Sequence, residues 1–202
     1  MPILAHILPS VLRERVSKAS QRLEHMPLPT NVPLRPAAVL VPLVYQNEQW
    51  SLLLTRRTNA LANHKGQVAF PGGGYEKEDG DLATTALRET FEELGIPPEK
   101  IDIIGQLPQQ PVISGYVVTP IVAILPGDVP LRPTPDEIAR VFFVPLTWLA
   151  DPAHIERVEK HRWHGLDYLV PFYIPYEGEI IWGMTARIIL SLLETLKNPS
   201  LR

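Results

Sequence analysis

Three glutamates, Glu89, Glu92 and Glu93, stand at i, i+3 and i+4 within FPGGGYEKEDGDLATTALRETFEELGI, residues 70–96. At about 100° per residue, that spacing puts all three carboxylates on one face of a helix. Like charges so placed destabilise a helix by about 0.3 kcal/mol per pair, and something has to offset the repulsion. A hard divalent cation does this, because Mg²⁺ takes oxygen ligands and bridges carboxylates to substrate phosphates. Neutralisation by Arg88 or by more distant basic residues is the structural alternative. Just upstream, Pro71 precedes three consecutive glycines, Gly72, Gly73 and Gly74, which let backbone approach a ligand closely. Alone, the glycine run reads as a turn and the glutamates as a solvated face. Together, at short range, they form a specific constellation.

The helix carrying the glutamates has its own start and stop signals. Asp79 or Asp81 can cap its N-terminus, and Gly95 can end it in the left-handed conformation. Ala83, Leu87, Phe91 and Leu94 share the face opposite the carboxylates. Burial of that apolar face is expected to leave all three carboxylates in solvent or in a cleft.

Other elements must position this unit. Residues 3–25 have helical apolar spacing, with Pro9 placed to begin the better part of a helix, and residues 26–36 read as a proline-punctuated linker. AAVLVPLVY and WSLLLTRR, separated by QNEQ, read as a hairpin in which Pro42 needs an edge or a bulge. Residues 58–80 read as a long loop. IDIIGQL, GYVVTPIVAIL, YLVPFYIPY and EIIWGM read as later strands, FFVPLTWL as a short strand running into a turn or helix, and TARIILSLLETLK as a closing amphipathic helix. The order of helix, strands, helix, strands, helix predicts an α/β (α+β) sandwich around a mixed sheet.

Composition narrows the chemistry. The chain has 202 residues, 45% of them hydrophobic and 20% charged, which is ordinary globular composition. Its net charge of −3 offers no basic field for nucleic acid or an anionic membrane. The absence of cysteine rules out thiolate metal sites, disulfides and a cysteine nucleophile. There is no apolar run of about 18 residues and no secretory signal pattern, so a cytoplasmic protein is expected. His154, His161 and His164 fit no zinc spacing and read as surface residues. No G-x-S-x-G marks a serine hydrolase.

The 74–96 segment resembles the Nudix box, G-x5-E-x7-R-E-U-x-E-E-x-G-U, where U is bulky and apolar. Gly74, Arg88, Glu89, Glu92, Glu93, Gly95 and Ile96 match in register. Two positions depart: Gly80 stands where the box has its isolated glutamate, and Thr90 follows Arg88-Glu89 where an apolar residue is usual. Glu76, Glu78, Asp79 and Asp81 flank the missing acid and are candidates to replace it. Upstream, LLTRRTNALANHKGQVAFPGG resembles the signature of the coenzyme A pyrophosphatase branch, L-L-T-x-R-[SA]-x3-R-x3-G-x3-F-P-G-G. Leu53, Leu54, Thr55, Arg57, Gly66, Phe70, Pro71, Gly72 and Gly73 match, whereas Thr58 and Ala62 depart. SGYVVTPIVAIL, DEIARVFFVPL and IIWGMTARII resemble that branch more loosely, so the similarity spans roughly residues 37–192.

The resemblance implies a Nudix domain over residues 31–197, preceded by an N-terminal helix and linker (1–30) and followed by a tail (198–202). It implies hydrolysis of a small-molecule diphosphate, CoA or acyl-CoA, to 4′-phosphopantetheine and adenosine 3′,5′-bisphosphate, with Mg²⁺ or Mn²⁺. The implied metal ligands and catalytic acids are Glu89, Glu92 and Glu93, with the Gly72 carbonyl as a further ligand. A glutamate of the box, or a carboxylate outside it, would serve as base. Arg88 reads as structural, paired with a nearby acid. Arg57 binds a substrate phosphate or pairs with a carboxylate. Arg56, His64, Lys65 and Gly73 are further candidate substrate contacts, and Trp182 leads Tyr116 and Tyr176 as an adenine platform. The changed residue at Ala62 keeps another nucleoside diphosphate derivative open as substrate, and a non-catalytic nucleotide-binding module is the alternative of a different class. A homodimer using the N-terminal helix is compatible with the sequence but not required by it.

Overall fold

The computed structural model describes residues 7–21, 28, 32–59 and 65–197. Helix α1 (Pro9–Ser20) starts with Pro9 in its first turn. Strands β1 (Arg35–Gln46) and β2 (Gln49–Arg57) form the expected hairpin, joined through Asn47 and Glu48. Next come the short strands β3 (Val68–Ala69) and β4 (Gly72–Gly74), then helix α2 (Leu82–Leu94). Strands β5 (Asp102–Gln106), β6 (Gln110–Val112), β7 (Tyr116–Leu125) and β8 (Ile138–Pro145) lead to a single helical turn, α3 (Leu146–Leu149). A separate hairpin, β9 (Ile155–Trp163) and β10 (Leu166–Tyr173), precedes helix α4 (Gly183–Lys197).

The eight-stranded sheet is mixed. β1 runs parallel to β7, from Arg35 opposite Tyr116 to Val44 opposite Leu125, and the other ladders are antiparallel. Residues alternate between faces. Val39, Val41, Leu43, Leu52, Leu54 and Val122 join a core layer with Leu12 and Val16 of α1 and Ile188, Ile189 and Leu192 of α4. Ala38, Leu40, Leu53, Ile121 and Ala123 join a second layer with Ala86 and Leu94 of α2. The result is the expected sandwich of a mixed sheet between helices.

Several expectations are corrected. Pro42 lies in the central strand β1, neither at an edge nor in a bulge. The β1–β2 ladder ends at Leu43 opposite Leu52, beside the residue that has no N–H to give, and β4 pairs with β1 farther along at 37–39. The glycine run is strand β4 rather than a turn. The stretch expected as a strand at 179–184 makes only two isolated bridges, Tyr176 with Glu179 and Phe172 with Trp182, and α4 already begins at Gly183. Strand β9, with charged residues on both faces, carried no strand signal in the sequence.

Candidate functional site

Helix α2 is capped as its sequence requires. The Asp81 side chain accepts from the Thr84 N–H, and Gly95 closes the C-terminus in the left-handed region at φ +67°. Its orientation differs from the expected one. The buried line is Thr85, Ala86, Thr90, Glu93 and Leu94, while Phe91 is 52% exposed. Thr90 tolerates burial because its hydroxyl donates to the Ala86 carbonyl at 2.7 Å. Glu93 is therefore not in solvent: only 3% of it is exposed, Glu89 is partly buried and Glu92 is exposed.

The glycine strand makes room for these acids. A Cβ on Gly73 would lie 2.4 Å from Glu89 Oε1, and a Cβ on Gly72 would lie 2.3 Å from the Ala38 carbonyl oxygen across the β1–β4 ladder. The Gly72 N–H donates to Glu93 Oε2 at 3.3 Å. From β2, Arg57 Nη1 donates to Glu93 Oε1 at 3.2 Å. The site is thus assembled from α2, β4 and the end of β2.

Arg88 organises the outer half. Its Nη1 donates to Glu89 Oε1 at 3.0 Å and to Glu92 Oε2 at 3.1 Å, and its Nη2 donates to the Gly74 carbonyl at 3.1 Å. It is anchored in turn by Asp79, which accepts from Nε at 2.8 Å and from Nη2 at 3.1 Å. Asp79 also accepts from the Thr85 hydroxyl at 2.8 Å and from the Glu76 N–H at 2.9 Å. Of the four flanking acids, Asp79 is the one that pairs with the box arginine, one residue before the position held by Gly80. Arg88, followed by these other donors, holds the Asp79 carboxyl well below the usual carboxylate range.

A fourth glutamate, Glu137, was not singled out by the sequence. The loop before β8 caps the C-terminus of α2: the Arg132 and Thr134 N–H groups donate to the Leu94 and Glu93 carbonyls at 2.7 and 2.9 Å. The Thr58 N–H donates to the Glu137 carbonyl at 2.8 Å. These bonds bring Glu137 close enough to act on Glu89 and Glu93 by charge. Burial foremost, then Glu89 and Glu137, pushes Glu93 up to about 7, against Arg57 and the Gly72 N–H. Glu89 is also pushed up, mainly by burial, with Glu92 and Glu137 adding and Arg88 opposing. The only sequence signal for Glu137 was its place in DEIARVFFVPL.

The other candidate contacts lie elsewhere. Arg56 faces the opposite side of the sheet from Arg57, with its Nε 3.7 Å from Glu179, a buried acid that also accepts from Arg140 at 3.1 Å. Trp182 is 37% exposed and stacks on Phe172, with ring centres 5.4 Å apart. Neither joins the glutamates. Lys65 is exposed, and His64 lies outside the described residues, as does Ala62.

The donor set suits a hard cation. All the donors are oxygen, and Glu89, Glu92, Glu93, Glu137 and Asp79 outnumber Arg57 and Arg88. Among the described residues, no group of three or more such side chains stands ready to hold an ion. Arg57 and Arg88 occupy the carboxylate oxygens instead.

A mixed sheet between helices, with an acidic loop–helix–loop laid on a glycine strand, defines a Nudix-type hydrolase fold. Residues 34–169 match the NUDIX domain model, and the chain belongs to that family. It is 44% identical over 158 residues to the uncharacterized Nudix hydrolase NudL of Cronobacter sakazakii, covering 78% of this chain and 81% of that one. Against NudL of Photorhabdus laumondii it is 41% identical over 163 residues, covering 81% and 86%. Among solved structures, the Caenorhabditis elegans Ap4A hydrolase binary complex is similar over 55% of this chain and 80% of that one, at 22% identity and a TM-score of 0.48. Nudix hydrolases generally use divalent metals such as Mg²⁺ or Mn²⁺. Among the described residues, no helix is long and apolar enough to cross a membrane.

Proposed function

We propose that this chain hydrolyses the diphosphate bond of CoA or acyl-CoA, releasing 4′-phosphopantetheine (or its acyl form) and adenosine 3′,5′-bisphosphate. The observation that carries hydrolysis is the meeting of Glu89, Glu92 and Glu93 with Arg57 and Arg88 beside the glycine strand. Glu89, Glu92 and Glu93, with the Gly72 carbonyl, would hold Mg²⁺ or Mn²⁺. When bound, the cation neutralises phosphate charge and lowers the pKa of coordinated water.

The chain's own residues do the rest. Arg57 binds a phosphate of the scissile diphosphate through its planar fork of donors. Glu137, outside the box and near enough to act on Glu89 and Glu93 by charge, accepts a proton from the attacking water. Arg88, fixed by Asp79, keeps Glu89 and Glu92 in register with the glycine strand. The CoA assignment is supported by the resemblance of residues 53–73 to the coenzyme A pyrophosphatase signature, whose matched Arg57 and Gly72 both stand beside Glu93. Ala62, where the branch signature has arginine, favours a second reading: a different nucleoside diphosphate derivative as substrate.

The test is incubation with CoA and Mg²⁺ or Mn²⁺, mass analysis of products and a chelated control, with ADP-ribose and dinucleoside polyphosphates in parallel. Metal-dependent release of phosphopantetheine and adenosine bisphosphate is expected. Faster cleavage of another nucleotide refutes the CoA assignment. Cleavage of none refutes the catalytic reading in favour of a binding module.

A further inference from the structure

In this structure every proposed ligand glutamate is held by an arginine, but the two arginines are held very differently. Arg88 cannot leave: Asp79 grips it through two nitrogens, at 2.8 and 3.1 Å, and the Gly74 carbonyl takes a third bond. Arg57 is loosely seated. Its Nη1 bond to Glu93 is 3.2 Å, long for a charge-assisted pair, whose usual range is about 2.7–2.9 Å. Its Nε is buried without a hydrogen-bond partner. Glu93 is only 3% exposed, and its other oxygen accepts from the Gly72 N–H at 3.3 Å, a bond no shorter than the one to Arg57. Losing Arg57 therefore leaves the packed carboxylate with one oxygen open.

We infer that Arg57 is an exchangeable stand-in for the cation: it neutralises Glu93 until a substrate phosphate draws the guanidinium away and frees Glu93 Oε1 for the metal. The exchange is favourable because a guanidinium pairs with phosphate through two parallel N–H bonds, against the single long bond it makes to Glu93. It makes cation and diphosphate binding mutually reinforcing, and by linkage the factor is the same in both directions. A site so built holds metal weakly until substrate arrives. This inference rests on the metal-dependent diphosphatase reading above, with Arg57 as the phosphate contact.

The test reads metal binding rather than turnover. Mn²⁺ affinity of the full chain is measured by the loss of the free-ion EPR signal at pH 8.5, with and without a non-hydrolysable diphosphate, α,β-methylene-ADP, whose own Mn²⁺ complex is taken from a protein-free titration. In wild type, the diphosphate tightens Mn²⁺ binding. Arg57→Ala is expected to bind Mn²⁺ about tenfold more tightly without diphosphate, the scale of one lost charged hydrogen bond, and to gain less from adding it. Arg56→Ala removes the same charge from the opposite face and is expected to stay within about twofold of wild type. Arg57→Gln serves if the alanine variant does not fold by circular dichroism. Unchanged or weaker Mn²⁺ affinity in the Arg57 variants overturns the inference, as does an undiminished effect of the diphosphate. A wild-type protein that takes up no Mn²⁺ overturns the metal-dependent reading itself, and the two failures are told apart by that measurement.

Discussion

Replacing Asp79 with alanine should disable the site indirectly, through the arginine that bonds Glu89 and Glu92. Asp79 is buried and accepts four hydrogen bonds, two from Arg88, one from Thr85 and one from the Glu76 N–H. Breaking one partner of a buried ion pair costs about 3–5 kcal/mol. The cost here is lower. Arg88 keeps the Gly74 carbonyl, Glu89 and Glu92, and the Thr85 hydroxyl keeps the Asp81 carbonyl at 3.2 Å. About 2 kcal/mol is expected, or about 4–8 °C in Tm for a domain of this size. The loss in rate should be larger, since an Arg88 free to swing carries Glu89 and Glu92 with it, and a misplacement of about 1 Å costs about 10²-fold.

The pH dependence carries a sign. The folded-state pKa of Asp79 is depressed, so its stabilisation is fully present above the unfolded value of about 4 and is lost as pH falls through the folded value. Urea unfolding at pH 7 should therefore separate wild type from Asp79→Ala by about 2 kcal/mol, and the gap should narrow when the titration is repeated near pH 3. A variant with unchanged Tm at pH 7, or a gap that widens in acid, would refute this account of Asp79.

The two central glycines should fail in different ways. Gly73→Ala meets the end of the Glu89 side chain and should lower kcat about tenfold with Tm within about 2 °C, whereas Gly72→Ala meets Ala38 backbone and should cost more than about 3 kcal/mol by thermal unfolding. Glu93→Gln keeps the shape and an acceptor for the Gly72 N–H, so circular dichroism should be unchanged while turnover falls by about 10³-fold; unchanged turnover would remove Glu93 from the mechanism. Glu137→Gln should lower kcat by about 10²-fold with little change in KM, and a KM effect alone would make Glu137 a binding residue rather than the base.

The local chemistry was legible in the sequence. Helix α2, its Asp81 cap, its Gly95 stop and the common face of Glu89, Glu92 and Glu93 all follow from spacing within one turn or two, where neighbours in sequence are neighbours in space. The β1–β2 hairpin and the closing helix were legible for the same reason, and the box residues were legible as a pattern.

Which side of α2 is buried depends on contacts made across the fold. Hydrophobicity favoured Phe91, but the chain buries Thr90 and Glu93 because Thr90 bonds within its own helix and Glu93 finds the Gly72 N–H and Arg57. The fold also chose Asp79 among four flanking acids, since the turn at 77–79 aims only that carboxylate at Arg88. It separated Arg56 from Arg57, adjacent in sequence, because a strand sends neighbours to opposite faces. It brought Glu137 to the glutamates through a loop that caps α2. The placing of Arg57 and of the loop that carries Glu137 rests on hydrogen bonds between residues 36 or more apart, which no spacing along the chain records.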